Sequence, residues 1–350
     1  MYYLSEEQWL TGIKNMNTDY TVIISTRELN HDQYRLFNKN EWEKKDWQLH
    51  PIRSAQPLKT FFYPPVQEVG RYPAKRPLLP IDKRVIIGPK ACDIAALEII
   101  DKIYLGQDYP DSHYLSFRKN TLIVSTDCLS PGEYCYCSLM NQQPYPKVHF
   151  DLNLSVVEHH YLLEIGTKNG KNILEKYFSG AQTAPDSLVL KREQMRERAL
   201  EDVKQNNRDF VYYKSHQDSI EKHLRTDIWK ELSKTCVECG ICTQICPTCH
   251  CFLVYDVPFQ NKYRRLRHWD SCFFAGYSRM AGGLTPRLAL ADRFKNRFYH
   301  KFDSFVINHG VEACTGCGRC VEGCMGKIDL REVLLELEKR VMLQENLDLQ

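Results

Sequence analysis

The stretch TCVECGICTQICPTCHCF, residues 235–252, holds six cysteines: Cys236, Cys239, Cys242, Cys246, Cys249 and Cys251. Four of them follow a C-x2-C-x2-C-x3-C-P spacing, which ends at Cys246 and Pro247, and the ladder recurs at Cys314, Cys317, Cys320 and Cys324. A [4Fe–4S] cube takes three thiolates from such a tight run, while the fourth is carried away to the other cube. The spacing therefore assigns Cys236, Cys239, Cys242 and Cys324 to one cluster. It assigns Cys314, Cys317, Cys320 and Cys246 to a second. Gly240, Gly316 and Gly318 would let the backbone approach the inorganic sulfides. Zinc competes for such thiols, but zinc knots pair C-x2-C units across a spacer. Met325 stands after Cys324, where such runs have Pro. Proline steers the backbone and does not ligate, so the cluster is expected to survive.

Working outward, 350 residues at 43% hydrophobic suit two or three domains with real cores. A net charge of +3 is mild and argues against a dedicated nucleic-acid binder. MYYLSEEQWL (1–10) lacks the basic and apolar regions of a secretory leader, and the apolar stretches carry charges. A cytoplasmic location without a membrane partner is expected. In a reducing compartment, fifteen cysteines point to metal or redox chemistry, and the odd count fits disulfide pairing poorly. There is no G-x-G-x-x-G after a strand, no Walker loop and no H-E-x-x-H, so no catalytic residue is assigned.

The fold class expected is an α/β N-terminal domain followed by a mostly α-helical, ferredoxin-like dicluster domain. The apolar, β-branched runs 20–26, 84–90 and 121–127 read as buried strands, and 92–105 repeats apolar residues at helical spacing. LKTFFYPPVQEVG (58–70) reads as a strand ended by Pro64-Pro65. The charged run 187–210 reads as a solvated helix and connector, with a second helix over 219–235 and an amphipathic one over 330–343. The boundaries expected are 1–185 for the α/β domain, 186–234 for a charged helical connector and 235–350 for the dicluster domain.

Seven cysteines remain. Cys92 and Cys128 each follow a predicted strand, and strand ends of one parallel sheet lie side by side. Helix 92–105 would offer its N-terminus to an anion. With Cys135 and Cys137 they suggest a third iron–sulfur cluster; zinc or four unbridged thiols are the alternatives. Cys249, Cys251 and Cys272 lack a fourth thiol. His250 or Asp270 could complete a metal site, but packing and tuning beside the cubes is the favoured reading. The insert between the ladders carries Lys262, Arg264, Arg265, Arg267, Arg279, Arg287, Arg293, Lys295, Arg297 and Lys301 against only Asp270 and Asp292. These cations serve equally as countercharge for anionic cubes or as a solvated face for a partner or RNA.

CGICTQICPTCHCF, RHWDSC, MAGG, RFKNRFYHKF and CTGCGRC together resemble the iron–sulfur beta subunit of cytoplasmic sulfhydrogenases, which are [NiFe] hydrogenases. They resemble equally the A subunit of anaerobic sulfite reductase. LKTFFYPP, IIGPKACDIAALEIIDKIYL and CLSPGEYCYC look like the N-terminal blocks of the same family, so the resemblance spans nearly the whole chain. It implies an electron-transfer subunit of a hetero-oligomer. Electrons would pass between a flavoprotein subunit that binds FAD and NAD(P)H and a hydrogenase or sirohaem sulfite reductase catalytic subunit. Two other classes compete. One is a zinc-dependent RNA- or protein-binding module using the basic insert. The other is a self-contained reductase, which the lack of a substrate or flavin motif disfavours.

Overall fold

A computed structural model describes residues 1–28, 31–37, 49, 52–73, 81–106 and 108–348. It divides into two compact units. The first comprises Met1–Tyr63, Pro77–Asn206 and Thr315–Cys317, the second Pro64–Arg76, Asn207–Cys314 and Gly318–Gln350. In chain order the elements are β1 (Tyr2–Ser5), α1 (Glu6–Met16), β2 (Thr21–Glu28), β3 (His31–Leu36), β4 (Val66–Tyr72), β5 (Arg84–Ile87), α2 (Ala91–Tyr104), α3 (Ser112–Lys119) and β6 (Thr121–Thr126). Next come β7 (Leu152–Val157), β8 (His160–Ile165), α4 (Lys168–Tyr177), β9 (Gln182–Thr183), α5 (Asp186–Asn206), α6 (His216–His223), α7 (Ile228–Leu232) and α8 (Ile241–Gln244). The last are β10 (Phe252–Phe259), β11 (Lys262–Trp269), α9 (Leu290–Tyr299), α10 (Phe305–His309), α11 (Arg319–Glu322) and α12 (Leu330–Asp348).

The first unit is built on a mixed sheet of order β3-β2-β5-β6-β7-β8-β1-β9. β2, β5, β6 and β7 run parallel, and antiparallel strands flank them on both sides. Val22, Ile24, Val85, Ile87 and Val124 are buried in one core cluster, which is why β2, β5 and β6 read as unbroken β-branched runs rather than alternating ones. Ser5 starts α1 with a capping box closed by Gln8. One turn on, Trp9 stacks on Tyr161 and Phe178.

Three local expectations change. Leu58–Phe61 is a 3₁₀ turn, and the strand in that stretch lies after the prolines, as β4. Pro64-Pro65 therefore precede a strand rather than end one, consistent with a residue that cannot donate to a ladder. α5 is not solvated all round: Leu188, Arg192, Arg196, Ala199 and Val203 form a buried stripe. The helix expected over 219–235 is two, α6 and α7, broken near Leu224–Asp227.

The second unit carries α6 to α12 and also an antiparallel sheet of order β10-β11-β4. A mostly helical unit was expected; the basic insert instead forms the β10–β11 hairpin, and Tyr263–His268 pairs with β4. Of residues 186–234, α5 falls in the first unit and α6 and α7 in the second. Among the described residues no helix is long and apolar enough to cross a membrane.

Candidate metal centre

Each ladder turns into a short helix behind a left-handed glycine, Gly240 (φ +71°) before α8 and Gly318 (φ +75°) before α11. Glycine takes this conformation without a Cβ penalty. A small pocket opens at the first ladder, lined by Cys236, Cys239, Cys242, Cys324 and Cys320. The four thiols grouped by spacing share this wall, and Cys320, placed by spacing with the other four, also reaches it. Phe273, Phe294 and Leu330, all buried, supply its apolar side.

Arg297 completes the wall. It is buried, and its Nε and Nη2 have no hydrogen-bond acceptor. Burial opposes its charge, but Cys242, Cys320, Cys249 and Cys246 hold its pKa well above the ordinary arginine value. An orphaned buried guanidinium among thiols marks a place for an anion. Burial pushes the Cys242 thiol up to about 11, against the pull of Arg297, and raises Cys236 as well. Such thiols bind metal by giving up protons. Thiols, apolar wall and buried cation together fit an anionic four-thiolate cluster. Among the described residues no group of three or more His, Cys, Asp or Glu is arranged to hold a single metal ion.

Cys246 is buried beside Lys301. The Lys301 ammonium donates to Cys246 Sγ at 3.5 Å, to Thr248 Oγ1 at 2.8 Å and to Ala313 O. Thr248 Oγ1 lies 3.1 Å from Cys246 Sγ and donates to Ala313 O at 2.7 Å. The fourth thiol of the first ladder is thus tied to the residue preceding Cys314. Lys301 lies in a π-helical turn, His300–Ser304, between α9 and α10, a bulge that redirects side chains. Burial works against its charge, while Cys246, Cys249 and Cys314 raise its pKa. Cys317 belongs to the first unit, where Arg53 Nε donates to its carbonyl.

In the first unit Ile87 of β5 and Val124 of β6 are paired in parallel, so the chain leaves both strands on one side toward Cys92 and Cys128. Lys90, the residue before α2, sends its buried ammonium to Thr126 Oγ1 (2.8 Å) and Asp127 O (2.9 Å). Burial lowers its pKa; Cys128 and Cys92 oppose that. Burial also pushes Cys128 to about 11 and Cys137 to about 12, with Cys135 adding to both. Asp127 fixes the approach to Cys128. It is buried, takes both arms of Arg196 at 2.9 and 3.0 Å, and accepts from Asn153 and Ser155. This pairing explains the burial of Arg196; the other buried arginine of α5, Arg192, pairs with Glu164 and Glu193.

The cations of the insert separate. Arg267, Arg293, Arg297 and Lys301 are buried; Lys262, Arg265 and Arg279 are exposed. Cys251 precedes β10 and Cys272 follows β11. Cys249 lies near Arg297 and Lys301. Lys90, Thr248 and Ser271 were missed from sequence. Their only signal was position inside the KACD, PTCHC and WDSC blocks.

A 4Fe-4S dicluster domain family matches residues 235–328. The chain is 31% identical over 293 residues to the sulfhydrogenase 2 subunit beta of Pyrococcus furiosus, covering 82% of this chain and 84% of that protein. No solved structure matches.

Proposed function

Because the chain belongs to the sulfhydrogenase beta-subunit family, we propose that it is the iron–sulfur electron-transfer subunit of a cytoplasmic multi-subunit oxidoreductase. It relays electrons between an NAD(P)H-linked flavoprotein subunit and a catalytic subunit of hydrogenase or sulfite reductase type. The observation that carries this reading is the cavity shared by Cys236, Cys239, Cys242 and Cys324 with Arg297 in its wall. A cluster bound there supplies one-electron storage. The thiolates hold it, Phe273, Phe294 and Leu330 keep water from one side, and Arg297 and Lys301 balance the negative charge of thiolates and cluster.

Anaerobically purified protein should contain about eight to twelve irons per chain, four for each of two or three cubes. Stoichiometric zinc with less than about one iron would sink the reading and favour the zinc-dependent binding module. The N-terminal thiols are tested separately. If Cys92, Cys128, Cys135 and Cys137 hold a third cube, Cys92→Ser removes about four irons and leaves the ladder signals intact. Unchanged iron with lowered stability would assign zinc there.

A further inference from the structure

The loop 273–289, between β11 and α9, lies against the first ladder and turns large apolar side chains to solvent. Phe274 packs on the turn of that ladder: a Cβ at Gly240 would lie 2.7 Å from Phe274 Cε1. Further along, Met280, Leu284 and Leu288 are exposed, Leu284 to 67% and Leu288 to 73%. The loop is nonetheless held in place. Met280 N donates to Leu284 O at 2.8 Å, and Ser278 Oγ lies 3.0 Å from Thr285 Oγ1. Buried Arg293 clamps both ends. Its Nε donates to Phe273 O at 2.8 Å, its Nη1 donates to the carbonyls of Arg287 and Leu288, and its Nη2 pairs with Glu238 of the ladder. The exposed side chains therefore sit on a fixed surface.

The ladder itself continues this surface. Cys239 is exposed, and so is Val237, which lines the pocket beside it. Met325, between the pocket-lining Cys324 and Gly326, is 72% exposed. Cations edge the face: Lys234, Arg279 and Lys327 are exposed and Arg287 is half-buried. Among the described residues none of the four has an acidic partner, and Arg287 Nε is buried without an acceptor. Glu238, the carboxylate in the ladder turn, is already taken by Arg293. Exposed apolar patches with a polar edge mark interaction sites, and an apolar centre inside a charged rim is the anatomy of a protein interface.

We propose that this face is the docking surface for a partner subunit that presents an apolar patch edged with carboxylates and carries a one-electron centre of its own. Three features choose that occupant. Exposed Cys239 lies within the face, so a protein seated there brings its centre next to the thiolates of the first ladder. The unpaired arginines and lysines match a rim of carboxylates; a second copy of this chain would set cation against cation. The large apolar side chains match a lasting subunit contact, because such interfaces are more apolar than those of carriers that come and go. Across the face one electron leaves the reduced centre and is taken up by the other, with no bond formed or broken. The inference rests on the electron-transfer reading and names the side on which the current enters or leaves.

The test uses the native complex, purified without oxygen by a tag on the full-length chain, with photo-crosslinking p-benzoylphenylalanine in place of Leu284 or Met325. Both positions should crosslink to one subunit. Mass spectrometry and cofactor analysis should identify it as a subunit bearing a flavin or an iron–sulfur centre, linked through an acidic segment. Leu284→Glu with Leu288→Glu should weaken its retention on dilution by about tenfold or more, at wild-type iron content and melting temperature. Arg279→Glu with Lys327→Glu should weaken it too and flatten its dependence on salt. An intact complex with no crosslink from either position would overturn the proposal. So would crosslinks to a second copy of this chain, or a subunit retained unchanged by both double variants. If the paired glutamates lower the melting temperature, the crosslinks decide alone. A complex that crosslinks as expected but holds no iron would defeat the electron-transfer reading and leave the contact standing. A fully loaded, reducible chain whose loop crosslinks to nothing would defeat the docking surface and spare that reading.

Discussion

Glu238 and Gly316 occupy the same place in the two ladders, two residues after the first thiol, and both hold positive φ, +58° and +63°. Their surroundings differ. Glu238 is exposed, and its carboxylate pairs with buried Arg293. At Gly316 a Cβ would lie 2.4 Å from Tyr136 O and 2.6 Å from Cys137 Cα. The fourth thiols differ as well. Cys324 Sγ accepts a backbone N–H from Ile328 at 3.3 Å, whereas Cys246 Sγ accepts from the Lys301 ammonium. Equal spacing therefore yields unequal surroundings: one turn exposes its side chain and the other is packed, and of the two fourth thiols one takes a neutral donor and the other a charged one. A ligand spacing specifies which sulfurs are available; the residues packed around them set what a bound cluster can do.

The strongest way to break this comparison is to exchange the ligands. Cys246→Ser and Cys314→Ser should each abolish the same EPR signal and remove up to about four irons, one cube's worth. Cys236→Ser should abolish the other signal. If Cys246→Ser and Cys236→Ser lose the same signal, the fourth thiols do not cross and the two sites have been wrongly divided.

The turn positions give a smaller effect, measured by thermal melting of the metal-bearing chain. Gly316→Ala forces a methyl against backbone atoms and places alanine in the left-handed region, a combined cost of at least about 2–3 kcal/mol. Glu238→Ala adds no left-handed strain, because a side chain already occupies that conformation. It removes one half-exposed partner from Arg293, which keeps the carbonyls of Phe273, Arg287 and Leu288. A loss of about 1 kcal/mol or less is expected. Equal shifts in melting temperature would mean that the packing difference carries no energetic weight.

Much of this arrangement was legible in the sequence. The strands β2, β5 and β6 were visible because buried parallel strands are continuous apolar runs, and the ladders because cube ligation fixes the spacing of thiols. The β10–β11 hairpin was hidden by its composition, since KYRRLRHW (262–269) has no clean apolar alternation. Its residues pair with β4, which comes from nearly two hundred positions earlier in the chain, as Gln67 and Arg267 show. Arg196 looked like one charge among many on a solvated helix; only the fold places Asp127 opposite it. Lys301 was counted in the basic run with Lys262, and nothing local separates them. One is exposed on a strand, and the other is buried in a π-turn against a thiol.

Lys301 gives the smallest and most discriminating test. A positive donor on a ligand sulfur stabilises the more negative, reduced form of a cluster, so removing it should lower the midpoint potential of that cluster alone. Lys301→Met keeps much of the buried aliphatic stem and deletes the ammonium. The cluster held by Cys246 should then become harder to reduce by on the order of tens of millivolts, since about 59 mV for one electron corresponds to a tenfold change in equilibrium. The cluster held by Cys324 should stay where it was, because its last thiol has a backbone donor that the substitution does not touch. Lys301→Arg should restore part of the shift by returning a charged donor. The measurement is a redox titration followed by EPR, with iron content checked first to exclude cluster loss. If both potentials fall together, Lys301 acts as a general countercharge, as the whole basic insert would. If neither moves, its bonds to Thr248 and Ala313 are structural, and the inequality of the ladders lies in the packing at Gly316.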